Sequence, residues 1–169
     1  MATLTKVQDR LQPALLDRLR DDEPLQRNET AEQRVVSKTR LREAVLRDLV
    51  WLFNSSQLGS SVPLQGYAHA RRSVLNFGLP VLSGRTTSSI DPNALQTQVR
   101  EAIIDHEPRI LPETLRVEAL LSDEQLNHHN QISFRISGQL WSQPVPLDLM
   151  LHTDIDLESG RVEIKELAR

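Results

Sequence analysis

An α+β domain, in which helices precede an antiparallel four-stranded sheet that they cover on one face, is the fold this 169-residue sequence predicts. Three observations predict it. Apolar residues recur at helical spacing before Glu107, and strand-like alternation with polar ones begins at Leu115. The two regimes meet at Glu107-Pro108-Arg109. Proline forbids continuation of a helix and pushes the residue before it toward extended backbone. Helices followed by strands, with one polar face to the strands, is the α+β pattern.

Residues 1–30 are expected to be an N-terminal docking helix and linker, and residues 31–169 a single domain. Leu11, Leu15, Leu16 and Leu19 form a short apolar stripe, followed by the charged Arg20-Asp21-Asp22-Glu23-Pro24. One amphipathic helix ahead of a polar linker suits a tethered docking element. The same stripe also suits an ordinary first helix packed on its own domain.

Ser37 then offers an N-cap, with Val36 and Leu41 placed as a hydrophobic staple. Leu41, Val45, Leu49, Leu52 and Phe53 line one face of the helix that follows, and Asn54-Ser55-Ser56 stops it. From Ser55 to Asp91 the chain is rich in Ser, Gly and Pro. A loop this long usually carries function or hides short elements, and Ser73 to Pro80 is apolar enough to be anchored in the core. Asp91-Pro92 is a helix start, since Asp caps and proline at the first position loses no bond. Leu95, Val99, Ala102 and Ile103 continue that helix on one face. Strands follow at Leu115 to Leu121, Ile132 to Leu140, Val145 to Leu151 and Val162 to Ile164, the last pair joined through Glu158-Ser159-Gly160.

Composition narrows the function classes. There is no cysteine, which excludes disulfides, thiolate metal sites and cysteine nucleophiles. No stretch approaches the roughly 20 apolar residues that span a bilayer, and the start of the chain lacks the pattern of a signal peptide. A cytoplasmic setting is expected. The net charge of -3 gives no basic bias toward nucleic acid. Beyond Ile110, five Lys and Arg stand against ten Asp and Glu, an acidic bias that could steer a basic partner.

Candidate chemistry is thin. Glu107 could serve as a general acid in glycoside hydrolysis, which needs a second carboxylate across the bond. Asp105 and Glu113 are merely near, and Arg109 would favour the ionised form of Glu107. His128-His129 are adjacent on a turn without further ligands nearby, and Asp154 and Asp156 resemble plain exposed-face charges. The glycines match no phosphate-binding loop. No catalytic residue, metal or cofactor is expected.

The ordered set of segments carries a resemblance. Arg47-Asp48-Leu49-Val50-Trp51-Leu52-Phe53-Asn54, then Val74-Leu75-Asn76-Phe77-Gly78-Leu79-Pro80 with Ser83-Gly84, then Glu107-Pro108-Arg109, resemble the TssE family. These are type VI secretion baseplate subunits related to the wedge protein of contractile phage tails. Leu15-Leu16-Asp17-Arg18-Leu19 is similar to a short segment that opens many members. Two departures are Val81, where an acid is common, and His106, where an aromatic is usual.

The resemblance implies a non-enzymatic structural role, in which the sheet edge nucleates polymerisation of the contractile sheath. It implies wedge partners TssF, TssG and TssK and sheath partners TssB and TssC, with no nucleic acid or membrane insertion. It implies a place on the cytoplasmic side of the inner membrane. It also makes Glu107, Pro108 and Arg109 a partner-binding motif and Leu15, Leu16, Asp17, Arg18 and Leu19 an N-terminal docking segment. The family's lysozyme-like label implies the alternative, a peptidoglycan-cleaving hydrolase with Glu107 as acid.

Overall fold

The structure, a computed structural model, describes residues 14–19, 37–86, 89–120 and 130–167. The Leu11 end of the apolar stripe, the Arg18 side chain, the linker at 20–30, the staple residue Val36 and His128-His129 lie outside the described residues.

Helix α1 is short, Leu15–Leu19. Helix α2, Lys38–Phe53, starts where Ser37 Oγ accepts the Arg40 N–H at 3.1 Å. It buries Leu41, Ala44, Val45, Leu49, Leu52 and Phe53, the stripe expected from spacing with Ala44 added. Between α2 and the next long helix the described residues include two 3₁₀ turns, Leu58–Ser60 and Val74–Asn76, and the short α3, Ala68–Arg71. The Ser/Gly/Pro-rich region therefore does hide short elements.

Gly78 explains how that region is tied down. Its φ is +127°, and a Cβ there would sit 2.3 Å from the Ser55 carbonyl oxygen. Only glycine lets the two backbones come this close. The contact allows Leu79 N–H to donate to Ser55 C=O at 2.8 Å and Gln57 N–H to Leu79 C=O at 2.9 Å. The stretch after α2 is thus stitched to the Gly78-Leu79-Pro80 segment. Asn76, buried, accepts from Gly59 N–H at 2.8 Å and donates to Arg71 C=O at 3.0 Å, joining the short elements to one another.

Helix α4, Pro92–His106, begins under Asp91, whose Oδ1 accepts the Asn93 N–H at 2.9 Å. Its buried residues are Leu95, Val99 and Ile103. His106, where an aromatic is usual, meets Phe77 edge to face at 5.3 Å between ring centres, so the imidazole keeps an aromatic contact at that corner.

The strands are β1 Arg116–Leu120, β2 Gln131–Leu140, β3 Leu147–Asp156 and β4 Val162–Glu166, antiparallel in sequence order. Val117, Ile132, Phe134, Ile136, Leu140, Leu149, Leu151, Ile155 and Val162 are buried on one face, in one core with α2 and α4. Burying a large aliphatic side chain contributes about 1.5–3 kcal/mol, so this shared core is the main source of stability. The other face is largely polar. The expected α+β arrangement with a four-stranded sheet is what the chain adopts.

Candidate functional site

Two regions gather the functional candidates: the charged corner after α4 and the edges of the sheet. At the corner, Glu107 N–H still bonds Ile103 C=O at 2.8 Å, the last turn of α4. Pro108 then turns the chain onto the sheet, where Arg109 C=O accepts from Trp141 N–H at 2.7 Å and Leu111 N–H donates to Gln139 C=O at 2.8 Å. The corner is therefore bonded on both sides, helix and sheet.

Glu107 is 3% exposed. Arg109 meets it with a two-pronged pair, Nε to Oε1 at 2.6 Å and Nη2 to Oε2 at 2.5 Å, and the Arg109 N–H adds a bond to Oε1 at 3.2 Å. Nη2 also reaches Asp48 Oδ2 on α2 at 2.5 Å. Burial disfavours the Arg109 charge, but the bonds to Glu107 and Asp48 outweigh it and hold the guanidinium above its ordinary pKa. Arg109 Nη1 is buried with no hydrogen-bond partner among the described residues. Pro108 is exposed.

The charges continue outward. Arg47, next to Asp48, bonds Asp48 Oδ1 through Nε at 3.0 Å and Asp17 Oδ1 of α1 through Nη1 at 2.5 Å. Its guanidinium lies 5.2 Å from the ring centre of Trp51. The Arg47 bond holds the Asp17 carboxyl below the usual carboxylate range. An alternating chain, Asp17, Arg47, Asp48, Arg109, Glu107, thus connects two motifs that are remote in sequence. Leu15, Leu16 and Leu19 of α1 stay exposed.

Local spacing pointed to Glu107 and Arg109 but missed Asp48, whose partner lies 61 positions on. It also misjudged Asp154 and Asp156. Asp154 accepts the Ser133 hydroxyl at 2.6 Å and lies 3.0 Å from His152 Nε2. The serine hydroxyl donates its hydrogen bond to the carboxylate, whereas activation as a nucleophile needs it to donate to the imidazole. Asp156 caps the hairpin turn, accepting from Glu158 N–H at 2.8 Å and Ser159 Oγ at 2.8 Å, and its carboxyl is held below the usual range by the Ser159 hydroxyl. An Asp two residues before a turn was the available signal.

Each sheet edge is partly met by a helix or its cap, β1 by α4 and β4 by the residue that ends α2. On β1, Gln96 Oε1 of α4 accepts the Ala119 N–H at 3.1 Å, and Arg100 Nε donates to Leu115 C=O at 3.4 Å, just before the strand, while no described residue bonds the outward groups of Val117 between them. On β4, Arg161 C=O accepts from Asp156 N–H and Leu167 N–H donates to Met150 C=O, both at 2.9 Å. Antiparallel pairing alternates, so Val162, Ile164 and Glu166 must turn their main-chain groups away from β3. At Val162 those groups meet the Asn54 side chain: N–H to Oδ1 and C=O to Nδ2, both 3.0 Å. No described residue bonds the outward groups of Ile164 and Glu166.

Among the described residues no cluster of three or more His, Asp or Glu converges as metal ligands would. A cleft of about 170 Å³ lies between the end of α2, the Leu79-Pro80 segment and the β3–β4 turn. It is below the roughly 300–1,000 Å³ of ordinary ligand sites, and Glu107 does not line it. No described helix is long and apolar enough to cross a membrane.

No curated protein and no solved structure matches the chain. A family model does, that of baseplate wedge protein gp25, over residues 39–145. The match takes in α2, the Gly78-Leu79-Pro80 segment, the Glu107-Pro108-Arg109 corner and the first two strands. Those are the elements that build the charged corner and its seat on the sheet, and on them the chain belongs to the baseplate wedge protein gp25 family.

Proposed function

We propose that this structural baseplate protein is the TssE-like component of a type VI secretion system, joining the wedge and nucleating the contractile sheath. The observation that carries the reading is the β4 edge. Ile164 and Glu166 direct main-chain donors and acceptors outward with no partner among the described residues, two successive open positions, whereas on β1 the Ala119 N–H is met by Gln96 of α4. Such an edge accepts an extended segment by main-chain hydrogen bonding. The strand comes from sheath subunits, TssB and TssC by the resemblance.

The Glu107-Pro108-Arg109 corner has a second task in this reading. The ion pairs fix its shape, and exposed Pro108 with the half-buried Arg109 presents that shape to wedge subunits TssF, TssG and TssK. Residues 1–30 dock on a partner through Leu15, Leu16 and Leu19, with Asp17 anchored to Arg47. The baseplate stands on the cytoplasmic side of the inner membrane.

The protein is not a hydrolase in this account. A general acid must offer its proton to a sugar oxygen, whereas Glu107 is buried with both oxygens engaged by Arg109. Affinity purification of the tagged chain from its own bacterium tests the proposal. Recovery of wedge and sheath proteins is expected, and recovery of neither contradicts it.

A further inference from the structure

We infer that Asn54 is a register stop on β4, limiting an added strand to the main-chain groups of Ile164 and Glu166. The inference rests on the reading of β4 as an acceptor edge, and concerns where the acceptor site ends.

Asn54 follows the last residue of α2, and its side chain is held there. Nδ2 donates to Val50 C=O at 2.8 Å, and the Asn54 N–H bonds the same carbonyl at 3.1 Å. The second Nδ2 proton goes to Val162 C=O, and Oδ1 accepts from Val162 N–H. A carboxamide presents the same C=O and N–H pair as a peptide unit. Asn54 therefore bonds Val162 as a residue of a neighbouring strand would.

Three outward positions on β4 thus divide into one filled and two open. Both Nδ2 protons are committed, so displacing Asn54 would leave its amide and the Val50 carbonyl to find new partners. A strand that stops short of Val162 meets no such cost. Ordinary helix capping would need only the bond to Val50. The further pair to Val162, 108 residues away, is what assigns Asn54 to the edge. Slippage by two residues along a bare edge would otherwise leave every side chain on its proper face, so a fixed end supplies register that the pleat alone does not.

Amide hydrogen exchange on the full chain, alone and bound to sheath subunits from the same bacterium, tests this at single-residue resolution. In the wild type, Ile164 and Glu166 amides should slow by about tenfold or more on binding, as expected for a new hydrogen bond. Val162 should be protected both before and after. In Asn54→Ala, Val162 should exchange fast in the free protein and slow on binding, because the strand now extends by one position. Protection at Ile164 and Glu166 with Val162 still fast in the bound variant overturns the stop and leaves the edge standing. No protection at Ile164 and Glu166 in the wild type overturns the edge reading and the stop with it. Asn54→Ser, polar but too short to reach Val162, gives the same readout should Asn54→Ala not fold.

Discussion

Arg109 binds Asp48 of α2 with the same nitrogen that binds Glu107, Nη2 lying 2.5 Å from an oxygen of each. One guanidinium therefore joins the first long helix, the end of the second and the start of the sheet. It compensates a carboxylate that is 3% exposed while itself being 19% exposed. The corner is locked within the chain, whatever it meets outside.

Arg109→Ala should consequently destabilise the isolated protein. Breaking a fully buried pair costs about 3–5 kcal/mol, and the partial exposure of Arg109 places the effect toward the lower end. A fall in melting temperature on the order of 6–12 °C is expected for a domain of this size. Calorimetry checks it. An unchanged melting temperature, with binding to wedge subunits lost, would make the motif an interface element alone.

At the other end of the charge chain the expected effect is small. Asp17 and Arg47 are both partly exposed, and such pairs contribute about 0.2–1 kcal/mol. Deleting residues 1–30 should leave thermal unfolding nearly unchanged and weaken assembly. Early melting of the truncated chain would instead place α1 in the fold.

The Asp17 tie also has a pH signature. Its folded carboxyl is depressed by the Arg47 bond, so its contribution is present above the unfolded value. It is lost as pH falls through the lower, folded value. Protease cutting near residue 20 should be insensitive to pH around neutrality and increase only under acid conditions, below the ordinary Asp range. Increased cutting already near pH 6 would contradict the assignment.

Gly78→Ala should be far more damaging than Gly84→Ala. Both glycines have positive φ, but a Cβ at residue 84 meets nothing within 4 Å while one at residue 78 strikes the Ser55 carbonyl. Residue 84 should lose about 1 kcal/mol from backbone strain alone. Residue 78 should lose at least about 2–3 kcal/mol, since the bridge between Ser56 and Leu79 must open as well. Equal losses in urea titrations would refute the close-approach argument.

Glu107→Gln bears on chemistry. The wild-type protein should release no sugar from cell-wall substrate, and the variant should differ from it in stability. Turnover that disappears in the variant would restore the hydrolase alternative.

Much of the architecture was legible because periodicity is local. Leu41 to Phe53 and Leu95 to Ile103 showed their helical faces, and Ile132 to Leu140 its alternation, without any tertiary knowledge. Caps were equally local, at Ser37 and Asp91. What stayed hidden was long in range. Nothing near Asp48 announces Arg109, nothing near Asn54 announces Val162, and the edge bonds from Gln96 depend on how α4 lies against β1. The short elements after Ser55 were also blurred, since their stability comes from bonds such as Leu79 to Ser55 rather than from a pattern of their own.

Sheath assembly on a Glu166→Pro variant decides whether the β4 edge accepts a sheath strand. The Glu166 N–H points away from β3, so proline there breaks no bond within the sheet and is tolerated on an edge strand. It removes one outward donor and places a ring where an incoming strand would lie. The variant protein should fold normally and still bind wedge subunits, in cells where a fluorescent sheath no longer polymerises. Normal sheath growth on a correctly folded Glu166→Pro baseplate would contradict the reading of β4 as an acceptor edge.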